Sequence, residues 1–243
     1  MKKSLFTLIF IISFSQAYSQ WSVDLSTGFA FQGYSEVKIP NETGTKFDLN
    51  RDFDIEGPVI PFSIRIGFNF SERNHLFLLY APLTINYAGI APFDIMYQST
   101  LFPEGEFTDA LYKFNSYRIT YRRDLVLTDN WTFGLGLTAK IRDARIKLST
   151  EDLTDKKDDL GFVPLLNIFA KYDFPQWSVF LQGDGLAGGP GRAFDFNLGA
   201  MIPVSDFTSV KTGYRILEGG ADVDEVYNFT IIHQIVTGLF IEF

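Results

Sequence analysis

The strongest constraint on this chain is a two-residue rhythm of apolar side chains that returns from Trp21 to the last residue, Phe243. Successive strand side chains point to opposite faces, so this rhythm predicts β-strands with two unlike faces. Trp21, Val23, Leu25, Thr27, Phe29 and Phe31 point one way, against Ser22, Asp24, Ser26, Gly28, Ala30 and Gln32. Ile60, Phe62, Ile64, Ile66, Phe68 and Phe70 oppose Ser63, Arg65, Gly67 and Asn69. Phe77, Leu79, Leu83, Ile85 and Tyr87 are read as the apolar face of a third strand, opposite Tyr80, Thr84 and Asn86. The same holds for Trp131 to Ile141 and for Phe194 to Ile202.

Ten strands follow, over residues 21–35, 58–70, 75–88, 110–126, 131–147, 161–174, 176–187, 192–204, 207–218 and 226–243. An eight-stranded arrangement with one hairpin outside the sheet is the alternative. Pro61, Pro82, Pro164 and Pro203 fall inside these segments, where a paired strand cannot use them. Pro61, Pro164 and Pro203 lie near strand ends, and Pro82 predicts a bulge or break. Tyr112 and Phe114 are out of phase with Tyr117, Ile119 and Tyr121 if apolar means outward, which predicts a bulge at Asn115–Ser116.

Lys2 and Lys3 precede an apolar run from Leu5 to Phe14, then small Ala17 and Ser19. This is the pattern of a cleaved secretory signal over residues 1–19. The run is too short to span a bilayer as a helix, which takes roughly 20 residues. Residues 20–243 then form a single domain. Its removal takes away two lysines and no acid, so the net charge moves from −8 to −10. An acidic surface argues against nucleic acid as a partner, and the absence of cysteine excludes disulfide, zinc-finger and thiol chemistry.

An exported two-faced sheet is either a soluble sandwich, with its greasy face as core, or a membrane barrel, with that face toward lipid. Three features favour the barrel. Short connections at 71–74, 127–130, 174–176 and 205–206 alternate with longer ones at 36–57, 89–109, 148–160 and 219–225, and the Gly188–Gly191 link is the short exception. Trp21, Trp131 and Trp177 all begin strands at the short-turn rim, where an indole suits a membrane–water interface. The chain also ends in Phe243, preceded on one face by Ile241, Leu239, Thr237, Ile235, Ile231, Phe229 and Tyr227. That last strand resembles the terminal strand of outer-membrane β-barrel proteins of Gram-negative bacteria. The resemblance implies an all-β, closed antiparallel transmembrane barrel in the outer membrane. It also implies short periplasmic turns, long extracellular loops and both termini in the periplasm. Phe243 would be the assembly signal read by the barrel assembly machinery, and lipid and lipopolysaccharide would be the surroundings.

A charge on the lipid face at mid-bilayer costs about 2–4 kcal/mol, so the charged parity should face the lumen. That parity holds Asp24, Arg65, Arg118, Arg122, Lys140, Lys171, Asp173, Asp184, Asp195, Lys211, Arg215 and Glu242. Mixed signs predict a lumen packed with ion pairs and a non-enzymatic structural, surface-exposed or partner-binding role. Gly28, Gly67, Gly134, Gly136, Gly199, Gly213 and Gly238 on the same face motivate the alternative, a narrow channel or transport accessory.

Catalytic residues are scarce. His75 falls at a predicted turn. His233 lies about ten residues above Phe243, roughly 25 Å up the outer wall at a tilt near 40°. A lipid A or peptide hydrolase is therefore the third reading. The lipid A deacylases carry Ser, His and Glu facing the outer leaflet, but beside His233 the outer face shows Val210, Thr212, Tyr214 and Ile216. The outer-membrane aspartyl proteases need paired carboxylates and a His–Asp couple around an open mouth, and His233 faces away from Asp222 and Asp224. No cofactor is expected beyond Ca²⁺ or Mg²⁺ at acidic loops. Glu218, Asp222, Asp224 and Glu225 are the candidate ligands. Asp48, Asn50 and Asp52 have the spacing of an EF-hand start, but Phe53 and Val59 stand where its glycine and glutamate are needed.

Overall fold

The computed structural model describes residues 20–243, so the predicted signal segment lies outside the described residues. In chain order the elements are β1 (Trp21–Lys38), β2 (Phe47–Asp48), α1 (Leu49–Asp52), β3 (Asp54–Ile55), β4 (Phe62–Ser71) and β5 (Asn74–Ala81). Then come β6 (Thr84–Ile90), β7 (Ile95–Tyr97), β8 (Thr100–Phe102), β9 (Phe107–Leu127) and β10 (Trp131–Ser149). The chain closes with β11 (Thr154–Asp173), β12 (Ser178–Gly188), β13 (Gly191–Ser205), β14 (Thr208–Val223) and β15 (Val226–Glu242).

Consecutive wall strands pair antiparallel, and β15 returns to β1 with Ser22 opposite Glu242 and Lys38 opposite Tyr227. Because β5 and β6 both pair β9 in one register, they form a single wall strand interrupted at Pro82. The wall is therefore a closed barrel of ten strands, not eight. Closure leaves no free edge around most of the circumference, which is what an extended sheet needs in a medium without water.

The break expected at Pro82 is present. Two residues leave the ladder, yet the Phe114 N–H still donates to the Leu83 carbonyl at 2.8 Å, so register survives. Pro203 sits beside a register shift in β13. Pro164, expected near a strand end, is well inside β11 opposite Ala139, because the strand begins at Thr154. It is tolerated because β11 meets β12 only over Leu166–Asp173. Above that point, residues 154–165 pair with β10 alone. The cause is the short β12–β13 hairpin, which turns at Gly189 and Pro190. There φ is +59° at Gly189, a left-handed conformation that suits glycine.

Two expected loops are mostly strand. Residues 148–160 shrink to a turn at 150–153, and 219–225 to a turn at 224–225. Long connections remain at 39–61 and 91–106, and these fold into the barrel mouth. There Ile39, Phe47, Leu49, Phe53, Ile95, Tyr97 and Phe102 pack against inward wall residues Val37, Ile85, Tyr87, Tyr112, Ile146, Leu148, Leu217 and Ile232.

This apolar plug corrects two readings. Phe77, Leu79, Leu83, Ile85 and Tyr87 face the lumen, not the exterior, where Leu76, Leu78 and Tyr80 are exposed instead. In β9 there is no bulge at Asn115–Ser116: Tyr112, Phe114, Ser116 and Arg118 stay in phase, all inward. The register shift lies lower, between Phe133 and Gly134. The inner face changes chemistry with height while its parity stays constant.

Outside, Phe29, Leu137, Leu198, Ile119 and Ile235 are each more than half exposed. Contiguous apolar surface of this kind fits hydrocarbon and not water. At the short-turn rim Trp21 packs on Phe68, Trp131 on Tyr172 and Trp177 on Phe174, with centroids 4.4–4.9 Å apart. The three indoles thus share one rim and one face.

Candidate functional site: a charged septum in the lumen

From the short-turn rim upward the interior has three storeys. The lowest is a vestibule of about 410 Å³, lined by rim residues such as Leu127, Pro175 and Ser209 and, deeper, by Arg65, Phe77, Arg122, Phe169, Phe180 and Lys211. Lys211 pairs with Asp24, and Lys171 with Asp173 at 3.1 Å. Lys171 and Asp173 are partly exposed and Glu242 is exposed, because they lie at the open end.

His75 is not a turn residue. It is the second residue of β5 and is buried, with Nε2 2.9 Å from Asp124 and Nδ1 2.7 Å from the Asn69 side-chain oxygen. Both ring nitrogens thus have a hydrogen-bond partner within the protein. Arg122 donates to the other Asp124 oxygen at 2.9 Å. Asp124 was missed in the sequence reading, although one more step along the Arg118–Arg122 row reaches it.

The middle storey is a septum. Arg118 donates to Asp184 at 2.7 Å, to Asp195, and to the Ser116 hydroxyl at 2.9 Å. Arg215 grips both oxygens of Asp195 at 2.7 Å. The second oxygen of Asp184 accepts from Thr138 at 2.7 Å and from Asn167 at 2.8 Å. Two guanidinium groups and two carboxylates, nearly all buried, thus span the lumen, and every carboxylate oxygen accepts at least one hydrogen bond. Such charges are tolerable in a low dielectric only when paired this completely. Below the septum a void of about 60 Å³ meets the vestibule at Asp24, Arg65, Gln182 and Lys211.

The inner-face glycines do not leave a bore. A Cβ at Gly67 would lie 2.9 Å from the Phe77 ring, at Gly134 2.4 Å from Asp124, and at Gly199 2.8 Å from Phe180. Their missing side chains give room to large neighbours. Lys140 is fully inside, its Nζ 4.6 Å above the Phe114 ring.

The top storey is the apolar plug. Tyr87 donates to Gln32 at 2.5 Å, Gln32 to Thr230 at 3.0 Å, and Tyr97 to the Ile146 carbonyl at 2.9 Å. Burial pushes the Tyr97 phenol well above its ordinary value, which keeps it a donor. Asp155 anchors the β7–β8 hairpin by accepting from Thr100 at 2.9 Å and from the Ser99 N–H at 3.3 Å. Beside the plug, above the β12–β13 hairpin, a cavity of about 640 Å³ lies between Arg142, Lys157, Leu160 and Asn228.

The four acids proposed as metal ligands do not converge. Glu218, on the outer face, is held by Arg192 and Tyr34; Asp222 accepts from Asn41 at 2.7 Å; Glu225 pairs with Lys157 at 3.2 Å. Among the described residues no group of three or more metal-ligating side chains is present. Asp48 instead caps α1, accepting from the Asn50 and Arg51 amides. His233 lies on the outer wall, with Nδ1 2.5 Å from the Tyr214 hydroxyl and its ring stacked on Phe31.

No family model matches the chain, and no curated protein matches it. Solved structures do. The outer membrane protease OmpT from Escherichia coli superposes with a TM-score of 0.56 at 12% identity, over 92% of this chain and 97% of that one. This chain has the outer-membrane β-barrel fold. An outer membrane channel from Pseudomonas putida F1 matches with a TM-score of 0.47 at 10% identity, over 96% and 98% of the two chains. The attachment invasion locus protein Ail of Yersinia pestis matches with 0.42 at 11% identity, over 92% and 99%. A shared fold carries no activity with it.

Proposed function

We propose that the protein is an integral outer-membrane barrel that does not conduct solutes, and that it serves as a structural or partner-binding element. One observation carries this reading: the Arg118–Asp184–Asp195–Arg215 septum crosses the lumen beneath an apolar plug. In this reading the short-turn rim and both termini face the periplasm, so the vestibule opens there and the plugged mouth faces outward. Lipid and lipopolysaccharide surround the belt, with divalent cations bridging acidic mouth residues to lipid phosphates. The assembly machinery reads the last strand through Phe243. A hydrolase of the aspartyl-protease kind would need its His–Asp couple at the mouth. Here the His75–Asp124 couple sits at the opposite end with its ring nitrogens occupied.

Planar-bilayer recording on the purified protein tests the reading. Insertion should give no stepwise current at moderate voltage, and reproducible unitary steps would overturn it.

A further inference from the structure

The lumen cations are almost all matched; Glu242, at the open rim of the vestibule, is an acid without an ion pair among the described residues. Arg118, Arg122, Arg142, Lys171, Lys211 and Arg215 each reach a carboxylate. Among the described residues two lumen cations do not, Arg65 and Lys140. Lys140 lines neither the vestibule, the void above it nor the side cavity. Arg65 lines both the vestibule and the small void above it. It is 8% exposed, its Nε is buried without a hydrogen-bond partner, its Cζ lies 4.6 Å from the Phe77 ring, and Asp24, opposite it across the β1–β4 ladder, is taken by Lys211. A buried guanidinium without an anion is costly, because desolvation is not repaid by a partner.

The surroundings indicate what would repay it. Arg122 lies over Phe77 and Phe169, at 5.0 and 4.0 Å, and Lys211 over Phe180 at 5.0 Å. The vestibule wall is therefore aromatic, with one unmatched positive charge at its inner end. The neighbouring acids Asp24 and Asp124 are already held by Lys211, His75 and Arg122. A single unmatched cation calls for a single negative charge, and a dianion would meet Asp24. The fork of a guanidinium matches a planar carboxylate, and the cavity volume is within the range of small-molecule sites, about 300–1,000 Å³.

We infer that the vestibule is a binding site for a small monocarboxylate with an aromatic or otherwise apolar body, its carboxylate on Arg65 and its body against Phe77 and Phe169. The inference rests on the lumen being blind, yet the two fail separately: a conducting barrel shows current whatever it binds.

Calorimetric titration of the barrel in lipid nanodiscs tests it, with phenylacetate as probe and empty nanodiscs as blank. Phenylacetate should bind saturably at one site per barrel. Phenylacetamide, equal in shape but uncharged, should bind about tenfold or more weakly, the cost of losing a charged hydrogen bond. Arg65→Gln should weaken phenylacetate by a similar factor, and Lys140→Gln should leave it unchanged. Folding of each variant is checked by its heat-modifiable gel mobility, and the acid–amide comparison on the unmutated chain needs no variant. Equal binding of acid and amide, equal binding by Arg65→Gln, or no heat above the blank would overturn the site. Competition by inorganic phosphate as strong as by phenylacetate would overturn the aromatic part.

Discussion

At the scale of single residues, the lumen separates charges that hold the structure from charges that merely decorate it. Asp195 is shared by Arg118 and Arg215, all three in contact within the septum. Asp195→Ala would leave two buried guanidinium groups undercompensated, and about 3–5 kcal/mol of stability should be lost. Urea unfolding in detergent micelles, followed by tryptophan fluorescence, measures this. Lys171→Ala breaks a partly exposed pair at the open rim and should stay within about 1 kcal/mol by the same measurement. If both variants cost the same, the septum holds the structure no more firmly than the rim pair does. Most of these residues were legible from parity alone, since a charge in a lipid-facing row would be too costly. Asp124 is legible by the same parity, one step beyond Arg122, whereas the supporting Ser116, Thr138 and Asn167 were missed because small polar residues on an inward row look like any water-facing surface.

At the scale of elements, alternation located every wall strand but could not say which apolar row faced in. In β5, Leu76, Leu78 and Tyr80 face out while Phe77 and Leu79 face in, so the two rows are almost equally greasy. Contrast between rows is what assigns a face, and here it vanishes. In β9 the contrast inverts with height, from Arg118 and Arg122 below to Tyr112 and Phe114 above, so a change of lumen chemistry resembled a bulge. Neither could be read without knowing that 39–61 and 91–106 return into the mouth. The plug and the wall should also come apart separately. Phe102 is fully buried, and Phe102→Ala should cost the plug about 3–5 kcal/mol. Limited proteolysis should then cut within 91–106 much faster while the barrel keeps its folded gel mobility. Loss of both together would show one cooperative unit instead. Asp155→Ala, which releases Ser99 and Thr100, should have the same effect in milder form.

At the scale of the whole molecule, two layers lie in series across the lumen, one polar and one apolar. Deleting the plug hairpin 95–102 should therefore leave bilayers silent, and conductance should appear only when Asp184 and Asp195 are also replaced by serine. Current from the hairpin deletion alone would mean that the septum is permeable to ions.

The short β12–β13 hairpin has a consequence for how the molecule floats. Amides along 154–165 have no strand partner on that flank, and hydrocarbon cannot solvate them. In the proposed membrane placement lipid tails stop short of the unpaired stretch on that flank, whereas across the barrel the ladder is complete up to Lys38 and Tyr227. With a waterline lower on one side than the other, either the bilayer thins at that flank or the cylinder lists toward its taller side, and headgroups come level with the side cavity.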